Sequence, residues 1–193
     1  MGIERSKDWR SSASARATAR QAERRYSAHW QALCLKKCVN YQWRLSAAAG
    51  YAELGMARES LAELRAIDAS FQDRPEVLQM RLHHLMRDKK WTAALRVSRK
   101  LCRVAPHCSA GFLHAGFCLH ELGRTAQAKK FLLKGPVALL KEPIYYYNMG
   151  CYDALLGNRK SAQVHLLTSF KMDPSFREIA KRDPDLDSVK ELL

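Results

Sequence analysis

Apolar residues recur along this chain at the spacing of an amphipathic helix, and the runs are broken at regular intervals by small or helix-stopping residues. Within 109–142, Phe112, Ala115, Gly116 and Leu119 fall at i, i+3, i+4 and i+7, followed after a gap by Ala128 and Leu132. Residues 143–176 repeat the scheme with Tyr146, Met149 and Gly150, then Ala162, Leu166 and Ser169. Segments 41–74, 75–108, 109–142 and 143–176 align without a gap, a period of 34 residues. Gly55, Gly123 and Gly157 stand at the fifteenth position of three segments and Lys89 at that of the second, which predicts a tight turn between two helices. Pro106 and Pro174 at position 32 stop the second helix before the next segment begins, whereas Gln72 and Leu140 depart from that rule.

Each segment therefore predicts a helical hairpin that cannot bury its apolar face alone, so that stacking makes the core. Small residues at Ala94, Gly116, Ala128, Gly150 and Ala162 let paired helices approach closely. A period of 34, a large apolar residue at position 4, Gly or Ala at 8, Gly at 15, Ala at 20 and Pro at 32 resemble the tetratricopeptide repeat family over residues 41–176. Arg44, Ser60, Arg81 and Asp153 stand where that pattern has apolar or small residues. The resemblance implies an all-α, right-handed superhelical solenoid of four hairpins with helical caps. Residues 1–17 read as a basic, flexible tail. Residues 18–40, with Tyr26, Trp30, Leu33 and Cys34 at helical spacing, read as a capping helix over the first hairpin. Residues 177–193 resemble a closing extension, broken at Asp183-Pro184 and ending in a turn with Leu186, Val189 and Leu192.

Composition agrees with the helical reading. In 193 residues there are only 7 Val, 4 Ile and 4 Thr, too few to furnish many strands. With 47% apolar residues the chain can build a core, which excludes disorder of the chain as a whole. No stretch approaches the length of a membrane span or the apolar run of a secretory signal, so a cytoplasmic protein is expected. Cys34, Cys38, Cys102, Cys108, Cys118 and Cys151 lie at irregular spacings and fit reduced thiols in that compartment. Met1-Gly2 with Ser6 matches a loose myristoylation pattern, and the Arg-, Ser- and Ala-rich residues 10–25 resemble a transit peptide. Glu4, Asp8 and Glu23 argue for a frayed basic tail instead.

Catalytic motifs are missing: there is no phosphate-binding glycine loop, no Gly-x-Ser-x-Gly and no His-Glu-x-x-His. Neither enzyme activity nor a cofactor or metal is expected. The family resemblance places the first helices on a concave groove, exposing Gln79, Met80, His83, Met86 and Arg87 in the second repeat, Leu113, His114, Phe117 and His120 in the third, and Tyr147, Asn148 and Cys151 in the fourth. Such an apolar and aromatic groove suits a peptide or helix of a partner protein. The Lys and Asn clamp that related repeats use for acidic chaperone tails is absent, since the corresponding pairs are Leu45 with Ala49, Gln79 with His83, Leu113 with Phe117, and Tyr147 with Cys151. A weaker likeness is to type III secretion chaperones.

Charge supplies a competing surface. The chain carries 33 Lys and Arg against 19 Asp and Glu, a net +14. Arg96, Arg99, Lys100 and Arg103 recur at helical spacing in repeat two, with Lys129, Lys130 and Lys134 at the matching place in repeat three. This convex wall would steer an acidic partner or bind nucleic-acid phosphates nonspecifically. The expectation is a non-catalytic protein-interaction module, an adaptor or chaperone-like scaffold, with nucleic-acid association as the alternative.

Overall fold

The computed structural model describes residues 8–192. Nine α-helices fill the described residues and no strand occurs among them. The last turns of α1 (Asp8–Glu53) pair with α2 (Ala57–Ala66), α3 (Pro75–Arg87) with α4 (Trp91–Val104), α5 (Ser109–Glu121) with α6 (Thr125–Leu132), and α7 (Pro143–Leu155) with α8 (Arg159–Met172). A short α9 (Ser175–Ala180) and two single 3-10 turns follow. Each hairpin packs on the next, giving an all-α solenoid.

Turn chemistry explains the phase of the hairpins. Gly55, Gly123 and Gly157 have φ of 75°, 72° and 78°, the left-handed region that closes a helix without a Cβ penalty. Lys89 occupies the same conformation at φ 53°, so the one departure at this position carries backbone strain. Close approach inside the hairpins is equally specific. A Cβ added at Gly116 would lie 2.9 Å from Cγ of Leu132, and one at Gly150 would lie 2.6 Å from Cγ of Leu166. Ala94, Ala128 and Ala162 are wholly buried.

The polar departures from the repeat pattern compensate one another in space. Gln72, in place of the helix-stopping proline, donates its amide to the carbonyls of Leu64 (3.1 Å) and Ile67 (2.6 Å), closing the end of α2, and accepts from the Arg81 guanidinium. Arg44 pairs with Glu63 at 2.7 Å. Ser60 donates to the Ala48 carbonyl at 2.7 Å and meets His84 Nε2 at 2.7 Å. Because the single hydroxyl proton goes to a carbonyl, His84 Nε2–H must be the donor to Ser60. The other nitrogen, Nδ1, is then a bare acceptor, buried without a partner. Asp153, wholly buried, accepts from Lys129 and from Asn158 Nδ2 (3.2 Å), while its second oxygen faces His165 Nδ1 at 3.0 Å.

The N-terminal end departs from expectation. Of the expected tail, residues 1–7 lie outside the described residues, and the chain is helical from Asp8. Residues 18–40 do not form a separate cap over the first hairpin: they belong to α1, which runs unbroken into the first repeat. No proline or glycine interrupts Asp8–Ala49, and a straight helix carries its earlier turns away from the ten-residue α2. Tyr26, Trp30, Leu33, Leu35 and Val39 are consequently exposed. At the other end, Leu186 and Val189 are fully buried against the core of the later hairpins.

A candidate interaction surface on the first helices

The inner face is lined by the last turns of α1 and by α3, α5 and α7. Between α1 and α3 lies an open groove of about 440 Å³ lined by Leu45, Ala49, Ala52, Glu53, Glu76, Gln79, Met80 and His83. Gln79, His83 and Arg87 are exposed, with Glu53 and Glu76 on the rim and an apolar floor. Tyr41 donates to Glu76 at 3.2 Å and stacks on Phe71, which fixes the outer wall.

Further along, the face fills in. Met86 is half-buried, its sulfur 3.4 Å from the Cys118 thiol. Phe117 meets Trp91 edge to face with centroids 5.7 Å apart, and Leu113 and His114 are half-buried beside it. Burial holds His114 below the usual histidine range and pushes the Cys102 and Cys118 thiols up to about 11, which keeps both sulfurs protonated and inert.

At α7 the face is occupied by the chain itself. Tyr147 and Cys151 are buried. The Tyr147 hydroxyl donates to Asp183 Oδ2 at 2.7 Å, the Cys151 thiol lies 3.7 Å from the same oxygen, and Phe176 packs on the Tyr147 ring. His120 Nε2 meets Asp185 Oδ2 at 2.8 Å, with Thr125 Oγ1 3.1 Å from its Nδ1. Burial, reinforced by Asp183, drives the pKa values of both Tyr147 and Cys151 upward. Of the residues expected to face a partner in repeat four, only Asn148 stays half-exposed. Tyr147, Cys151 and His120 belong instead to the seat of the C-terminal segment.

The register that selects inner-face residues in later repeats also selects Leu45, Ala49, Ala52 and Glu53 in the first. Arg44 and Ser60 make that repeat look irregular in the sequence, although both are paired in the structure. Asp183, Asp185 and Leu186 carry no periodic signal that would have announced their reach across α7.

The basic wall is smaller than its charge count. Arg96, Arg99, Arg103, Lys130 and Lys134 are exposed. Lys100 is tied to Asp73, and Lys129 does not join the wall: buried Asp153 draws its ammonium inward. No described helix is long and apolar enough to cross a membrane.

A solved structure described as "MamA RS-1 ArsTM double mutant", itself a helical solenoid of tetratricopeptide type, superimposes with a TM-score of 0.62, covering 79% of this chain and 94% of that one at 17% identity. The fold is tetratricopeptide-like. At that identity the likeness carries the architecture and no residue's role. No family model and no curated protein matches the sequence.

Proposed function

We propose that this chain is a non-catalytic protein-interaction module that docks an apolar-anchored partner segment in the groove between α1 and α3, with the contact extending over Met86 and Phe117. The observation that carries the reading is the groove itself. Its floor of Leu45, Ala49, Ala52 and Met80 is open, while the same face at α7 is already filled. Gln79 and His83 offer polar groups beside that floor for the backbone of an extended or helical segment. The exposed Arg96, Arg99, Arg103, Lys130 and Lys134 raise the encounter rate of an acidic partner without setting its register.

A photo-reactive residue at Gln79, with one at exposed Lys160 as control, tests this in native extract. A discrete protein crosslinked from 79 and not from 160, and lost on Ala49→Trp with unchanged circular dichroism, is the expected result. Loss of all association above about 200 mM salt or after nuclease treatment would instead favour phosphate binding by the basic wall.

A further inference from the structure

Residues 183–189 meet α5 and α7 as a bound peptide meets a receptor. They form a single 3-10 turn, Pro184–Leu186, rather than another hairpin, and their contacts are directional. Asp183 takes the Tyr147 hydroxyl at 2.7 Å and Asp185 lies 2.8 Å from His120 Nε2. Asp183 also accepts from the backbone N–H of Asp185 at 3.0 Å, so the segment arrives with its own turn in place. Next to Asp185, Leu186 is fully buried, Val189 follows three residues on, and Ser188 reaches the Ala154 carbonyl at 3.5 Å. A cover needing only to hide apolar surface would require the leucine and valine, not two carboxylates seated on a tyrosine and a histidine. Those receptor groups, His120, Tyr147 and Cys151, stand at inner-face positions, the face that remains open between α1 and α3.

We propose that the inner face of α5 and α7 is a recognition site for a short acidic protein segment of the form Asp-x-Asp-Leu, held in cis by residues 183–189 and opened to a partner segment of the same chemistry when these are displaced. This site is separate from the groove between α1 and α3, so either proposal can fail alone. The cis segment competes at an effective concentration of order millimolar, and the apparent affinity for a partner is lowered by the fraction of molecules in which the site is open.

The test uses the full chain and a fluorescein-labelled peptide of residues 181–193, followed by anisotropy. Leu186→Ala in the protein loosens the cis segment while leaving His120 and Tyr147 in place. The peptide is expected to bind this variant about tenfold or more tighter than wild type, in keeping with a larger open fraction. Binding should vanish for a peptide carrying Asp183→Asn and Asp185→Asn, and for the unaltered peptide when the protein also carries Tyr147→Phe with His120→Ala. No binding to a helical Leu186→Ala variant, or binding indifferent to the peptide's aspartates, overturns the proposal. Hydrogen exchange on the unaltered protein supplies the second reading, should the variant not fold. Amides of 185–189 exchanging faster than those of α7 support independent opening, whereas exchange only together with α7 makes the segment an integral part of the core and refutes displacement.

Discussion

The two ends of the solenoid solve the same problem in opposite ways. At the third position of each repeat, Val77, Gly111 and Tyr145 are buried against the hairpin before them, while Trp43, with no hairpin before it among the described residues, is 63% exposed. At the tenth position His84, Cys118 and Tyr152 are buried, while Gly50 is exposed and a Cβ added there would meet nothing within 4 Å. The C-terminal hairpin, by contrast, is closed by Leu186, Val189 and two seated carboxylates. Identical register thus yields interior or surface according to the neighbour alone. The apolar clusters divide accordingly: Ala48, Leu64, Ile67 and Val77 form a small one at the open end, and the remaining hairpins and cap share a large one. In a one-dimensional stack this asymmetry makes unfolding begin at the open end.

The largest expected effect comes from cutting each cluster at a matched residue. Leu166 and Leu64 are both buried, to 0% and 1% exposure. Leu166→Ala should cost about 3 kcal/mol of the main transition, within the range for buried leucine truncations. Leu64→Ala should release α2 and the end of α1 while protection of α5 to α8 is kept. Urea denaturation with hydrogen exchange reads both, and equal loss of protection across the chain in the two variants would contradict the asymmetry.

Acid sharpens the contrast. His84 is held below the usual histidine range, chiefly by burial and then by neighbouring His83 and Arg87, and its Nδ1 has no acceptor to receive a proton. The unfolded chain takes up a proton near pH 6.5 that the folded hairpin refuses, so this contribution to stability is complete above that pH and declines below it. Unfolding of the α1–α2 end should move to lower urea between pH 7.5 and 5.5. His84→Gln, which can keep a donor toward Ser60 and cannot titrate, should flatten that dependence. His114, also lowered by burial, gives the later hairpins a dependence of the same sign that the variant leaves untouched. An open end that gains stability on acidification would rule out this account.

How much of this was legible in the sequence depends on whether the cause is local. Turn glycines and helix-facing small residues report constraints of their own backbone and of a partner 16 residues away, as Gly116 with Leu132 and Gly150 with Leu166 show, so the hairpin phase could be read. Gln72 with Arg81, Ser60 with His84 and Lys129 with Asp153 join different segments, and each looks like an isolated irregularity until its partner is seen. The 34-residue phase sets a boundary at residue 41, where no helix breaker exists, and α1 runs through it. The inner face of repeat four looks open in the sequence because the segment that covers Tyr147 and Cys151 lies in residues without periodicity.

A smaller effect follows from the turn that broke the glycine rule. Lys89 adopts φ 53° where the three equivalent residues are glycine. Lys89→Gly relieves the left-handed strain but adds freedom to the unfolded chain, for a net gain of about 0.5–1 kcal/mol. The gain should fall on α3 and α4, whose buried residues belong mostly to the large cluster, and widen the gap between the two unfolding events. Thermal denaturation resolves it, and a lower midpoint would mean that the lysine side chain does more than the backbone suffers.

The smallest effect tests the open end most directly. If Trp43 is exposed only because no hairpin precedes it, its side chain contributes little to the fold, and Trp43→Gln should change stability by no more than about 0.5 kcal/mol. The equivalent change at buried Tyr145, which packs between hairpins, should cost several times as much, about 3 kcal/mol or more. Tryptophan fluorescence adds an independent reading, since the emission lost with Trp43 should be that of a solvated indole. A large stability loss at Trp43 would mean that its face is covered in solution, and the end described as open would be closed by something outside this chain's own fold.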